Sequence, residues 1–370
     1  MKFPGLTIGG FHARTAIVQG GMGIGVSLSG LASAVAKEGG IGVISAAGIG
    51  LMDLSNKDIA KAHRDALRHE IRQARELTDG IIGVNIMVAL TNYAEMMATA
   101  VEEGTDIIFS GAGLPLDMPR HRPEGSATCL APIVSSDRAA SILCRKWLNR
   151  HGCVPDALVV EGPKAGGHLG FKPEQLDDPE FALERLVPRV VEAVRPFEDK
   201  IGRAIPVIAA GGCYTGRDIF EIMKLGAAAA QLGTRFVATE ECDAAPAFKQ
   251  AYVDARPEDI TVITSPVGMP GRALTGSFLD EAAAGLRKPT ACPYHCISTC
   301  NQVDSPYCIA KALLHAQQGR FKHGFAFAGS NAHRVTSIVT VKQLMDELRE
   351  GWLEAAREAA SATKPTAPTA

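Results

Sequence analysis

Residues 157 to 168 read Ala157-Leu158-Val159-Val160-Glu161-Gly162-Pro163-Lys164-Ala165-Gly166-Gly167-His168. The opening apolar run predicts a strand buried on both faces, as in a parallel sheet. It ends in small residues that leave backbone open to a ligand, and the stretch stops on a histidine, a side chain able to move protons near neutral pH. The pattern marks a reaction centre at a strand end. Two later strands, Ile205 to Ala210 and Ala227 to Gln231, likewise run into glycine, at Gly211-Gly212 and Gly233-Thr234, and each is followed by helical spacing. That arrangement predicts a phosphate grip.

Runs of the same kind recur at Ala16 to Val18, Ile41 to Ala46, Ile81 to Val88, Asp106 to Ser110, Thr128 to Val134, Pro206 to Ala210 and Ala227 to Leu232. With Ala157 to Val160 they make eight units, separated by helical stretches such as Leu28 to Glu38, Lys57 to Thr78, Thr91 to Glu103, Ser136 to His151 and Gly216 to Leu225. The expected fold is α/β, a (β/α)8 TIM barrel with a C-terminal lid. Asp137 and Thr215 are the expected N-caps of their helices. An open doubly wound sheet is the competitor, because Gly20-Gly21-Met22-Gly23-Ile24-Gly25 is glycine-rich, but no reading of that turn satisfies G-x-G-x-x-G. The expected divisions are a barrel over residues 1–240, a lid with a cysteine group over 241–325, a return segment and helix (Val341 to Ala360) over 326–360, and a disordered tail over 361–370.

At 370 residues and 46% hydrophobic composition the chain can bury a large core. Its net charge of −2 and lack of a basic block exclude a nucleic-acid footprint. No apolar run reaches membrane-spanning length, and Met1 to Gly10 does not read as a signal peptide, so the expected location is the cytoplasm and the expected partner a small-molecule substrate. A homodimer is among the expected assemblies, although the sequence itself does not set the oligomeric state.

The ordered set Ile17 to Gly23, Asn85-Ile86-Met87, Ala165 to His168, Ile208 to Gly212, Gln231 to Phe236 and Ser265 to Arg272 resembles the nitronate monooxygenase family, formerly 2-nitropropane dioxygenases, which includes flavin-dependent enoyl-acyl carrier protein reductases and NAD(P)H:quinone reductases. The resemblance implies FMN bound without covalent attachment, NAD(P)H as an electron donor in the reductases, and His168 as the active-site histidine. It implies cofactor contacts at Gly21, Met22, Gly23, Asn85, Glu161, Ala165, Gly166, Gly167, Gly211, Gly212, Gln231, Gly233 and Thr234. Local chemistry agrees: glycines let backbone N–H groups reach a ring, Met22 can cover its face, and the Asn85 amide can bond a ring edge or instead cap a turn. Lys164 departs from the family's more usual apolar or acidic residue. Alternatives from other classes are a flavin-free barrel acting on phosphorylated substrates and a metal-stabilised interaction protein.

Nine cysteines in a cytosolic chain are expected to be reduced. Cys129, Cys144, Cys153, Cys213 and Cys242 are scattered and read as small buried hydrophobes. Cys292, Cys296, Cys300 and Cys308, spaced C-x3-C-x3-C-x7-C, form the expected ligands of an inorganic centre, a [4Fe-4S] cluster ahead of zinc, with His295 as a substitute ligand. The same pattern, on a helix, could simply bury small side chains.

Overall fold

The computed structural model describes residues 2–52, 58–292 and 294–362. A hairpin of β1 (Leu6–Ile8) and β2 (Phe11–Ala13) opens the chain. Eight parallel strands follow, β3 (Ile17–Gln19), β4 (Gly42–Ser45), β5 (Ile82–Met87), β6 (Ile107–Gly111), β7 (Cys129–Val134), β8 (Leu158–Glu161), β10 (Val207–Ala210) and β11 (Ala229–Leu232), with the short β9 (Gly167–His168) after β8. Their spatial order, β3-β11-β10-β8-β7-β6-β5-β4, is the chain order wrapped into a ring, and a parallel bridge from Val18 to Ile41 closes it. The chain is a (β/α)8 barrel, as its apolar runs predict.

Side chains alternate across the barrel wall. Phe109, Cys129, Ala131, Val159 and Ile208 fill the interior, while Ile108, Leu130, Leu158, Val160 and Ala209 pack outward under the helices. Leu6 and Ile8 join the interior cluster, so the hairpin plugs the N-terminal end and leaves the C-terminal strand ends for a ligand.

The outer helices are α1 (Ser29–Lys37), α2 (Ile59–Leu77), α3 (Tyr93–Glu102), α4 (Asp137–His151), α5 (Leu183–Ile201) and α6 (Gly216–Lys224). Thr215 caps α6 as expected, accepting the Asp218 N–H while the Asp218 carboxylate accepts from Thr215. The expected cap of α4 is corrected by one residue. The Ser136 hydroxyl accepts the Ala139 N–H at 3.1 Å, and Asp137 is the first helical residue, where its charge still favours the helix dipole. Helix α5 went unpredicted, for Pro188 and Pro196 interrupt its pattern although Leu186, Val187, Val190 and Val194 bury one face.

Beyond the barrel come α7 (Thr234–Val237), α8 (Pro246–Val253), the antiparallel pair β12 (Ile260–Thr264) and β13 (Pro270–Leu274), α9 (Ser277–Ala283), α10 (Ile309–Gln317) and α11 (Val341–Ala362). Strand β13 also pairs with β9, setting Gly271 opposite His168, so the lid grips the end of the β8 loop. Helix α11 continues through Ser361 and Ala362, which the sequence reading gave to the tail; the rest of that expected tail, 363–370, lies outside the described residues.

One carboxylate fastens the lid's first segment to α1. Helix α1 has no side-chain cap of its own, and Asp243 accepts the N–H groups of Leu28 at 2.7 Å, Gly30 at 3.1 Å and Leu31 at 3.2 Å. Asp243→Ala strips a buried helix end of its acceptor, so a loss of about 1–3 kcal/mol of stability is expected in denaturant unfolding. An unchanged midpoint would show that this cap carries no weight.

Candidate active site

The C-terminal strand ends surround a cavity of about 280 Å³. Gly21, Met22 and Gly23 come from the loop after β3, Asn85 from β5, and Glu161 from the end of β8. Ala165 to His168, Gly211 and Gly212, and Gln231, Gly233 and Thr234 complete the wall. The structure therefore brings all the residues expected at the cofactor and catalytic site to one cavity.

The glycines after β10 have a backbone reason. Gly211 holds φ +81°, and a Cβ there would lie 2.6 Å from the Gly162 carbonyl oxygen; Gly212 holds φ +143°. Both conformations disfavour any side chain. A Cβ on Gly212 would otherwise meet only the Lys164 stem, at 3.7 Å, and one on Gly233 only Met22, at 3.5 Å or more. The two loops thus form a cradle that side chains would fill. Asn331 donates to the Gly212 carbonyl at 2.7 Å and Gly329 N–H donates to Thr234 Oγ1 at 3.1 Å, so the return segment joins both loops.

His168 lies on β9, in the loop that follows β8, the strand next to β10 in the ring. Its Nε2 is 2.7 Å from Ser265 Oγ, and its ring meets Phe327 edge-on with centroids 4.9 Å apart. Burial lowers its pKa to about 4, so the imidazole is neutral at pH 7 and suited to accept a proton or hydrogen bond. Burial also pushes the Glu161 carboxyl up to about 7 and the Cys213 thiol up to about 12, leaving that cysteine inert although it lines the cavity. Arg272 donates to the carbonyls of Pro163 and Ala165, which fixes the loop carrying Lys164 and explains why the Ser265 to Arg272 stretch belongs with the site.

Several lining residues escaped the sequence reading. Tyr214 stands between the guanidinium groups of Arg235 and Arg334, 4.5 and 4.2 Å from its ring centre. Tyr252, Leu313, Phe327, Gly329 and Asn331 reach the cavity from the lid and return segment. Tyr252 and Leu313 sit on the short helices α8 and α10, and Phe327, Gly329 and Asn331 in an irregular stretch where no periodicity points inward.

The cysteine expectation fares differently. Cys292, Cys296, Cys300 and Cys308 do line one cavity of about 410 Å³, and burial followed by the neighbouring thiols pushes Cys296 up to about 12. Yet among the described residues no three His, Cys, Asp or Glu side chains are placed to hold a metal ion. The chain there is not helical: Ile297 bridges to Leu90, Thr91 N–H donates to the Cys296 carbonyl, and Thr91 Oγ1 donates to the His295 carbonyl. The fold thus lends no support to a zinc site, to a [4Fe-4S] cluster or to His295 as a ligand. Of the scattered cysteines, Cys129, Cys144 and Cys242 are buried as expected, while Cys153 and Cys213 are half-buried.

Fold and site together define a parallel barrel enzyme with its ligand cavity at the strand C-termini. The chain belongs to the nitronate monooxygenase family, whose model matches residues 7–351, and is an oxidoreductase of that flavin-dependent group. It is 28% identical to a nitronate monooxygenase of Paraburkholderia phytofirmans over 90% of this chain and 92% of that one. It is also 28% identical to the (3aS,4S,5R,7aS)-5-hydroxy-7a-methyl-1-oxo-octahydro-1H-indene-4-carboxyl-CoA dehydrogenase of Mycobacterium tuberculosis, over 73% of this chain but only 66% of that protein's length. The solved structure of FabK from Thermotoga maritima superposes with a TM-score of 0.74 at 28% identity, covering 95% of this chain and 96% of the other. Among the described residues no helix is long and apolar enough to cross a membrane.

Proposed function

We propose that the cavity binds FMN noncovalently and that the protein oxidises alkyl nitronates or passes electrons from NAD(P)H to a small organic acceptor. The observation that carries this reading is the joining, in one cavity, of a glycine cradle at the ends of β10 and β11 with a neutral histidine after β8. Backbone N–H groups of Gly211, Gly212, Gly233 and Thr234 suit the phosphate, as the loops after the last two strands do in barrels generally. Gly21 to Gly23 and Asn85 suit the ring, and His168 the reacting substrate. Bound flavin supplies the redox chemistry; the chain orients it, excludes water and handles protons.

The two reactions separate in one anaerobic experiment. Bleaching of the flavin band by an alkyl nitronate, reversed by oxygen, identifies the oxidase-type reaction. Bleaching by NAD(P)H, reversed by an enoyl thioester or quinone, identifies the reductase. A flavin that neither donor bleaches contradicts both. The [4Fe-4S] cluster is a separate proposal resting on the cysteine spacing alone, and iron and sulfide analysis of the same anaerobic preparation decides it.

A further inference from the structure

Glu161 has no evident structural task. It is the last residue of β8, in register with Ala210 of β10, whose methyl group offers it no hydrogen bond. Its carboxyl lines the flavin cavity and, among the described residues, has neither a hydrogen-bond partner nor an ion-pair partner. Most of the surrounding wall is glycine, alanine and aliphatic or aromatic carbon. A carboxylate kept charged and unpaired there would be costly, and the neutral acid is the form such an environment favours. A neutral carboxyl differs from the neutral imidazole of His168 in one useful respect. It carries a proton ready to give.

We propose that Glu161 is the acid of this site, donating a hydrogen bond to the bound ligand and supplying the proton that a carbonyl-conjugated acceptor takes up when it is reduced. The inference rests on the flavin reading and selects within it the reductase branch. NAD(P)H would be the reductant, giving up a hydride equivalent, and a flavin held in the cavity would supply the redox chemistry that delivers it to the electrophilic atom of the acceptor. The Glu161 O–H bond breaks as a new bond to hydrogen forms on the acceptor's basic atom, and the carboxylate left behind is reprotonated from water. Nitronate oxidation has no need of such a donor, because its substrate gives up electrons.

The other titratable groups facing the cavity are Lys164, His168, Cys213, Tyr214 and Tyr252. His168 falls to about 4 and Cys213 rises to about 12, both through burial, and burial raises both tyrosines further above their ordinary range. Glu161, near 7, is the group whose change of state falls in the middle of the usual assay range. Below that pH it holds its proton; above it the proton is lost and acceptor reduction slows.

The test compares wild-type protein with Glu161→Gln from pH 5.5 to 9, following both the visible band of the bound flavin and kcat/KM for acceptor reduction by NAD(P)H. The wild type is expected to show an inflection near pH 7 in both. Glu161→Gln should keep its flavin, lose both inflections and turn over about 10²-fold more slowly or worse, because an amide donates a hydrogen bond but no proton. An inflection that persists in the variant, a variant with wild-type turnover, or a wild type with no inflection overturns the assignment. Should the variant fail to fold, infrared spectroscopy of the wild type replaces it: a protonated carboxyl band present at pH 6 and gone by pH 8 supports the proposal, and its absence at pH 6 refutes it. Colourless wild-type protein would instead defeat the flavin reading, so the two failures are distinct.

Discussion

Gly212→Val is expected to purify without its yellow colour. The backbone there holds φ +143°, which a β-branched residue resists, and the new side chain would project into the space assigned to the cofactor phosphate. Losing two charge-assisted hydrogen bonds at about 1.5–3 kcal/mol each weakens binding by roughly 10²- to 10⁴-fold. Strain at Gly212 could also disturb the loop, so Gly233→Val is the companion variant. Gly233 has φ −111°, open to any residue, and among the described residues its neighbour along the Cβ direction is Met22. A folded Gly233→Val that retains full flavin would show that the phosphate lies elsewhere.

His168→Ala is expected to keep its flavin and lose turnover by about 10²- to 10⁴-fold, the range for a positioned proton-transfer group. Ser265 holds Nε2, and Nδ1 has no partner among the described residues, which leaves that nitrogen for the ligand. The same lowered pKa has a consequence for stability. Between pH 6.5 and about 4 the unfolded chain takes up a proton at His168 that the folded chain refuses, so this residue weakens the fold progressively as pH falls through that window. His168→Ala should therefore lose less stability than wild type on acidification. Wild-type rates with nitronate, enoyl and quinone substrates alike would remove His168 from the chemistry.

The barrel was legible because strands covered on both faces leave continuous apolar runs, and all eight runs became strands. The strand ends were legible for the same reason: glycine directly after a buried strand has few purposes other than a tight approach. What the sequence concealed was contact between distant segments. Ser265 reaches His168 across 97 positions and Asn331 reaches Gly212 across 119, and neither lies in a periodic element that would announce its direction. The cap of α4 shows a smaller ambiguity, since Ser136 and Asp137 are both good capping residues and only the backbone turn decides between them. The cysteines mark the opposite limit. Their even spacing suggested a shared helical face, but the hydrogen bonds of Thr91 and the bridge at Ile297 pull that stretch into an irregular path.

The most direct measurement is the chromophore itself. Purified protein, incubated with FMN and desalted, should show the flavin absorption bands, and denaturation should release stoichiometric FMN into the supernatant, identified by its mass. Protein that stays colourless after that incubation, or a flavin that remains attached to the denatured chain, would contradict a noncovalent FMN site at the C-terminal end of the barrel.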